Sequence, residues 1–220
     1  MPKPRFERMS ERERAAILDV AARHFVDDGY ERASANAIFD ACGLSKSSAY
    51  LAFENKADLF GAVVLRAAER VLAAVPPFPR AVRGRQAYFD ALFAWLSATV
   101  DAALADPTSA RLLEQYALAR KGGLVDAGDG RLDALAAASF DDVLSVGRAA
   151  GVVRDDLDPA ILAALVGSVV STLDLFHMER LATSSTRARG ELLSVYVDTI
   201  ARLVLPGGRR RSARPKTNRS

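Results

Sequence analysis

The segment from residue 34 to residue 59 constrains the fold of this chain more than any other, because two helix-forming stretches flank a single glycine there. Ser34 can cap the first helix, since its hydroxyl can accept hydrogen bonds from free amides of the first turn. Gly43 can end that helix, because glycine adopts a left-handed backbone at little cost. Ser45 can cap a second short helix over residues 46–51. The segment therefore predicts two helices that meet at a steep angle.

Two helices joined in this way form the helix-turn-helix motif, whose second helix presents its first residues to base edges in the major groove of DNA. Here the first turn of the second helix is small, polar and singly positive, with Lys46, Ser47 and Ser48 following the cap residue Ser45. We expect Lys46, Ser47 and Ser48 to contact bases, and we place Ser45 in the same DNA-binding surface. The spacing alone leaves another interpretation open, in which the helix pair is only a packing unit.

Over about residues 10–60 the chain resembles the tetracycline-repressor (TetR/AcrR) family of bacterial transcriptional regulators. The matching residues are Ile17, Leu18, Ala21, Ala22, Phe25, Gly29, Tyr30, Ile38, Gly43, Leu44, Ser45, Tyr50, Phe53, Lys56 and Leu59. The chain departs from the family pattern at several positions, among them Phe39, which indicates a locally repacked core, and Leu51. The resemblance implies a DNA-binding head of three helices followed by a helical domain for effector binding and dimerisation.

Phosphate contacts are expected from Ser34, Tyr50 and Lys56, which would position the head without reading sequence. Lys56 lies at the start of a predicted helix over residues 55–75, where a cation opposes the helix dipole slightly. A phosphate beside that helix end would remove the conflict, and the resemblance assigns Lys56 this role. A solvated surface lysine is the alternative.

Charge is distributed unevenly along the 220 residues. The net charge is +3, yet residues 206–220 hold six basic residues and no acidic one. Residues 1–60 carry nine Lys and Arg against ten Asp and Glu, so DNA binding must depend on local placement rather than bulk charge. The tail over residues 206–220 has too few apolar residues to fold, and we predict that it is disordered.

Cysteine content and hydropathy indicate in which cellular compartment the protein is located. Cys42 is the only cysteine, which excludes an internal disulfide and fits a reducing environment. The N-terminal segment is charged, and no segment reaches the eighteen or so uncharged apolar residues expected of a membrane span. These features predict a cytoplasmic protein.

A proline-rich segment at residues 76–79 ends the helix over 55–75 and separates the predicted head from the remaining helices. Five more helices are predicted, over residues 84–104, 107–121, 132–150, 159–181 and 186–205. The expected fold is therefore all-α with about nine helices. We assign residues 1–60 to the DNA-binding head, 61–205 to the effector-binding and dimerisation domain, and 206–220 to the tail.

The last two predicted helices, over 159–181 and 186–205, are apolar over arcs too wide for one neighbour. The first of them also carries a strip of small residues that permits close helix approach: Ala164, Gly167, Ser168 and Ser171. These helices are expected to form a four-helix bundle with those of a second copy, giving a homodimer. The resemblance implies the same arrangement. An intramolecular core is the alternative.

Catalytic and metal-binding motifs are not visible in the sequence. The two histidines are far apart, and no paired-cysteine, phosphate-loop or Gly-x-Ser-x-Gly pattern occurs. We predict no enzyme activity, cofactor or metal. An effector pocket is expected to include Phe89, Trp95 and Tyr116, which would otherwise be core, and Asp174 with His177, which would otherwise be a satisfied polar pair or part of the dimer interface.

The sequence thus predicts a transcriptional repressor that binds a palindromic DNA operator as a homodimer and leaves it when a small-molecule effector binds. The palindrome follows from twofold symmetry, which places two identical recognition helices on the DNA. The alternative is a small-molecule-binding protein or enzyme that has the same fold without operator binding.

Overall fold

The computed structural model describes residues 4–125 and 130–206, and within these ranges every regular element is a helix. This confirms the predicted all-α fold. The helices are α1 (Pro4–Glu7), α2 (Glu11–Arg32), α3 (Ala35–Ala41), α4 (Lys46–Ala52), α5 (Lys56–Ala73), α6 (Gly84–Ala105), α7 (Pro107–Lys121), α8 (Arg131–Ser139), α9 (Asp141–Ala149), α10 (Pro159–Thr183) and α11 (Thr186–Val204). Of the tail predicted to be disordered, residues 207–220 lie outside the described residues.

The first additional helix, relative to the nine predicted, is the single turn α1. It forms because Phe6 is buried against the head, with its ring centroid 4.7 Å from that of Phe53. Gly29 has a φ of 77° and kinks α2, which then continues to Arg32.

The second additional helix arises because the helix predicted over residues 132–150 is divided at Phe140 into α8 and α9. Phe140 is buried, and its ring lies edge-on to Trp95 with the centroids 5.4 Å apart. The change of direction lets α8 run along α10 while α9 turns Val143 and Leu144 into the core. One straight helix would not satisfy both contacts.

Helix ends in the head and the second domain are fixed by side-chain caps. Ser10 and Glu13 form a capping box at the start of α2, where the Ser10 hydroxyl accepts from the Glu13 amide. Asp158 accepts from the amides of Ala160 and Ile161 at the start of α10. Such local hydrogen bonds satisfy the free amides of the first turn.

The helices surround two hydrophobic cores. The first unites α1–α5 and includes Phe25, Ile38 and Phe60, with contributions from Leu112 and Ala119 of α7. Because α7 contributes to this core, the head packs directly on the second domain. The ion pair between Arg66 of α5 and Asp19 of α2, 2.9 Å apart, links helices within the same region.

The second core lies among α6, α9, α10 and α11 and includes Tyr88, Leu92, Leu144, Leu162 and Ile200. None of the helices in the described ranges has the length and apolar character needed to cross a membrane.

Close packing of α8 on α10 depends on one glycine from the predicted small-residue strip. A Cβ on Gly167 would lie 2.9 Å from the backbone nitrogen of Ala137, closer than side chains normally approach. Ala164 and Ser168 of the same strip are exposed, and Ser171 faces an internal cavity. The strip therefore serves an intramolecular contact at Gly167 and leaves a separate face of α10 exposed.

Candidate DNA interface and internal cavity

The turn between α3 and α4 is closed by backbone hydrogen bonds around a left-handed glycine. Gly43 has a φ of 67°, its amide donates to the Asp40 carbonyl at 3.0 Å, and the Leu44 amide donates to the Phe39 carbonyl at 3.0 Å. This pair of bonds is the Schellman arrangement that ends helices at glycine. Leu44 is half-buried against the head core. The angle between the two helices is thus fixed by backbone geometry and one apolar contact.

Ser45 organises the first turn of α4. Its Oγ accepts from the Ser48 amide at 3.2 Å and lies 3.1 Å from Ser47 Oγ and 3.0 Å from Ser48 Oγ. Ser45 and Ser47 are exposed and Ser48 is half-buried. The part of the predicted base-contacting surface formed by Ser47 and Ser48 is therefore polar, and the hydroxyls of both residues are linked to the Ser45 cap. Lys46 is the first residue of α4.

The opposite side of α4 is seated on aromatic residues. Ala49, Ala52 and Phe53 are buried, and Phe39 lies beneath α4 with its ring 6.3 Å from Phe53 and 6.0 Å from Tyr50. Tyr50 is 48% exposed. The bulky residue at position 39, predicted to repack the core, thus supports the helix that carries the candidate DNA contacts.

Sequence reasoning did not assign a role to Leu51, which is 52% exposed on the outer side of α4. An exposed leucine beside Tyr50 widens the accessible surface of α4 and adds an apolar element to it. The spacing of Leu51 could have indicated its position. Residues four apart share a helix face, so Leu51 lies on the same side of α4 as Ser47. Such a side chain is suited to contact with a thymine methyl group in the major groove.

The remaining candidate phosphate contacts lie at helix starts. Ser34 is exposed and caps α3, with its Oγ accepting from the Ala37 amide at 3.4 Å. Lys56, at the start of α5, is half-buried. Its Nζ donates to the Glu31 carbonyl at 2.9 Å and lies 4.7 Å from the centre of the Tyr30 ring. Lys56 therefore has protein partners at the end of α2, and neither predicted alternative anticipated them.

A cavity of about 230 Å³ lies among α5, α6, α7, α8 and α10, and its walls are mostly apolar. Three of the five predicted effector-contacting residues line it: Trp95, Tyr116 and Asp174. The cavity also reaches the middle of α5, where Val64 and Val71 form part of its wall.

Phe89 and His177 do not line this cavity, so the structure does not bring them together with the other three residues. Phe89 lies six residues before Trp95, about 9 Å along α6, and borders a separate surface groove beside α11. His177 is turned towards α11, where its ring lies 5.8 Å from that of Tyr196. Its Nδ1 is buried and has no hydrogen-bond partner among the described residues. Periodicity did not show where along each helix the cavity begins and ends.

Asp174 lies where the cavity meets α11, and the Tyr196 hydroxyl donates to its Oδ1 at 3.0 Å. The carboxylate retains some accessible surface because it borders the cavity, yet protein surrounds it on all sides. Burial raises the pKa of Asp174 to about 6, and the Tyr196 hydrogen bond opposes this rise only in part. Burial also lowers the pKa of His177, and the charge of Arg180 adds to that effect. Asp174 and His177 are not an ion pair among the described residues, contrary to the satisfied pair considered above.

Within residues 4–125 and 130–206, no group of three His, Cys, Asp or Glu residues is arranged to hold a metal ion.

Known proteins share both the sequence pattern of the head and the overall fold of this chain. Residues 17–63 match the family model described as bacterial regulatory proteins of the tetR family. A putative TetR-family transcriptional regulator from Rhodococcus sp. is 19% identical, with a TM-score of 0.58 over 87% of this chain and 100% of that chain. SmeT, the repressor of the Stenotrophomonas maltophilia multidrug efflux pump SmeDEF, is 18% identical, with a TM-score of 0.54 over 92% and 94%.

A third similar structure is FadR, the fatty acid degradation regulator from Bacillus halodurans, at 17% identity and a TM-score of 0.50 over 93% of this chain and 100% of that chain. At such identities the similarity shows a shared fold. A search of curated protein sequences gave no significant match.

The helix-turn-helix head and the helical domain behind it have the fold of TetR-family transcriptional regulators. The resemblance stated from the sequence is confirmed over residues 17–63, which match the model of the tetR family of bacterial regulatory proteins.

Proposed function

We propose that this regulator is a cytoplasmic homodimeric repressor that binds a palindromic operator and is released from it by a small-molecule effector. The observation that carries the proposal is the first turn of α4, which is exposed, polar and fixed by the Gly43 turn and the Ser45 cap. A fixed polar surface of this kind suits major-groove contact, because base recognition requires donors and acceptors at set positions.

Lys46, Ser47 and Ser48 are the proposed base contacts, and Ser34, Tyr50 and Lys56 the proposed phosphate contacts. In this role the Lys56 ammonium group would donate a hydrogen bond to a phosphate oxygen. That bond would either replace the one to the Glu31 carbonyl or be formed in addition to it. The exchange is favourable on charge grounds, because a hydrogen bond between two ionised groups is about twice as strong as one to a neutral acceptor.

Dimerisation is supported by exposed apolar side chains on α10 and α11. Ile161, Leu165 and Phe176 lie along one face of α10 and are 56%, 44% and 61% exposed, and Val195 on α11 is 46% exposed. Large apolar side chains aligned on an accessible face indicate a protein partner. A second copy of the chain is the partner proposed, since twofold symmetry lets one such face cover its equivalent.

Release by an effector is supported by the path of α5. This helix begins at Lys56 beside the proposed DNA surface and lines the cavity at Val64 and Val71. A ligand that shifts α5 would change the spacing of the two heads in the dimer. A tenfold to hundredfold reduction in operator affinity requires only about 1.4 to 2.7 kcal/mol of coupling between the two sites.

The test of operator binding is to select DNA fragments with the purified protein and map the protected bases by footprinting. Two symmetric half-sites, with centres about 34 Å apart or a multiple of that spacing, are expected. Ser47→Ala should alter base preference at one position of each half-site, whereas Lys56→Ala should weaken binding to all sequences alike. Protection of one asymmetric half-site would contradict the proposal. Failure to select any sequence would favour the alternative, a small-molecule-binding protein or enzyme with this fold.

Release is tested separately, by titrating a cavity ligand in the presence and absence of operator. Linkage requires the operator to weaken the ligand by the same factor as the ligand weakens the operator. Equal ligand affinities in the two titrations would rule out the release mechanism and leave operator binding unaffected.

A further inference from the structure

The cavity contains an unbalanced charge. Among the described residues, three side chains that are charged at neutral pH border it: Arg120, Asp133 and Asp174. Arg120 and Asp133 neutralise each other, with Arg120 Nη1 3.6 Å from Asp133 Oδ1. Asp174 has no cationic partner among the described residues, and its one hydrogen bond comes from the Tyr196 hydroxyl. The cavity is therefore apolar with one carboxylate left to be neutralised.

An unpaired buried carboxylate is costly, because a low-dielectric surrounding disfavours the charged form. The raised pKa of Asp174 is a consequence of this cost. A protein usually avoids it by pairing the charge or by placing an apolar residue there. At the wall of a cavity, however, a cationic ligand can supply the missing partner and gain a charge-assisted hydrogen bond in return.

We propose that the effector is a small lipophilic cation, an amine with an apolar body, whose nitrogen pairs with Asp174. This inference rests on the proposed function, since it names the ligand class of the cavity assigned there to the effector. The apolar body would contact the aliphatic walls and the rings of Trp95 and Tyr116, whose faces also attract cations. A cavity of about 150 Å³ holds a benzene molecule, so one of 230 Å³ suits a single aromatic ring with a short chain.

The experiment uses three probes with one apolar body and different charges: 4-phenylbutylamine, 4-phenylbutanol and 4-phenylbutyrate. Binding to the full chain without DNA is followed by the fluorescence of Trp95, the only tryptophan, and confirmed by calorimetry. The amine should bind roughly ten- to hundredfold more tightly than the alcohol, the range expected for a hydrogen bond to a charged group. The carboxylate should bind most weakly.

Asp174→Asn keeps the shape and an acceptor for Tyr196 but removes the charge. It should lower amine affinity to about that of the alcohol, and circular dichroism of the variant checks that it is folded. Asp133→Asn is the matched control, because it removes the other cavity carboxylate, which already has Arg120 as its partner. It leaves the Arg120 charge unpaired at the cavity and so should lower amine affinity somewhat, but the preference for the amine over the alcohol should remain.

The pH dependence gives an independent readout. An alkylamine stays charged below about pH 9. Its affinity should therefore fall as acid protonates Asp174, whereas alcohol binding should be flat over the same range. The other titratable or charged groups that face this position are Tyr196 of α11, Arg120 of α7, Asp133 of α8 and His177 one turn further along α10. Disappearance of the pH dependence in Asp174→Asn would assign it to the carboxylate rather than to His177.

Equal affinities for the three probes, preference for the carboxylate, absence of binding by all three, or unchanged amine binding in Asp174→Asn would each overturn the ligand class. Operator binding by the same preparation would be untouched by such a result. Conversely, Asp174-dependent amine binding with no effect on operator affinity would support the ligand class and overturn effector release.

Discussion

Replacing Asp174 with asparagine should make the unliganded protein more stable at neutral pH. The pKa of this carboxyl rises from 3.8 to about 6 on folding because burial penalises its charge. A shift of about two units, at roughly 1.4 kcal/mol each, sets an upper limit of about 3 kcal/mol on the cost at pH 8. Asparagine still accepts from Tyr196 but lacks the charge-assisted part of that bond, worth about 1 kcal/mol. We therefore expect a net gain of about 1 to 2 kcal/mol.

The sign of the pH dependence follows from the raised pKa. The carboxyl favours folding fully only below its unfolded pKa of about 3.8, and this contribution is lost as the pH rises through about 6. The advantage of Asp174→Asn should therefore shrink by about 1 kcal/mol between pH 8 and pH 5.

Urea denaturation followed by circular dichroism measures both the stability gain and its change with pH. All samples need the same protein concentration, because the stability of a dimer depends on concentration. Asp133→Asn, which removes the partner of Arg120, should show no such gain. A wild-type protein as stable as Asp174→Asn at both pH values would refute the reasoning.

Three further predictions concern the turn, the tail and the dimer. Gly43→Ala forces an L side chain into a left-handed backbone and should cost about 1 to 2 kcal/mol in urea denaturation, whereas Gly61→Ala, with open space in the middle of α5, should stabilise by up to about 1 kcal/mol. Removing the residues after Pro206 should flatten the salt dependence of DNA binding by about 0.9 in log–log slope for each phosphate that the tail neutralises, and an unchanged slope would show that the tail neutralises none. Leu165→Glu should yield monomers in analytical ultracentrifugation, while Leu51→Glu, at a comparably exposed leucine of α4, should not.

Local chemistry accounts for the parts of the fold that the sequence predicted well. The Ser34 and Ser45 caps and the Gly43 turn each depend on residues within five positions, and all three are present. A cap hydroxyl or a left-handed glycine acts on its own turn whatever the rest of the chain does. The helix-turn-helix could therefore be predicted from local sequence, without knowledge of tertiary contacts.

Features that depend on distant partners were not predicted. Phe6 lies in a charged segment, and only its contact with Phe53 turns that segment into a helix. Phe140 interrupts a continuous helical pattern because Trp95, on another helix, lies beside it. Asp174 paired with Tyr196 of the following helix rather than with a residue one turn away. In each case the competing contact lies at least 22 residues away along the chain, beyond the reach of periodicity.

The head and the cavity are joined by more than α5. Tyr116 of α7 lines the cavity and lies 6.3 Å, ring to ring, from Phe60 of the head, which packs at 4.8 Å on Tyr30. Tyr30 donates to the Leu124 carbonyl at 3.4 Å and holds the ammonium of Lys56 over its ring. A ligand that displaces Tyr116 must therefore disturb the same aromatic cluster that positions the lysine proposed to contact phosphate. Coupling between sites needs packed groups that both sites can bias, and this cluster supplies a second route beside α5.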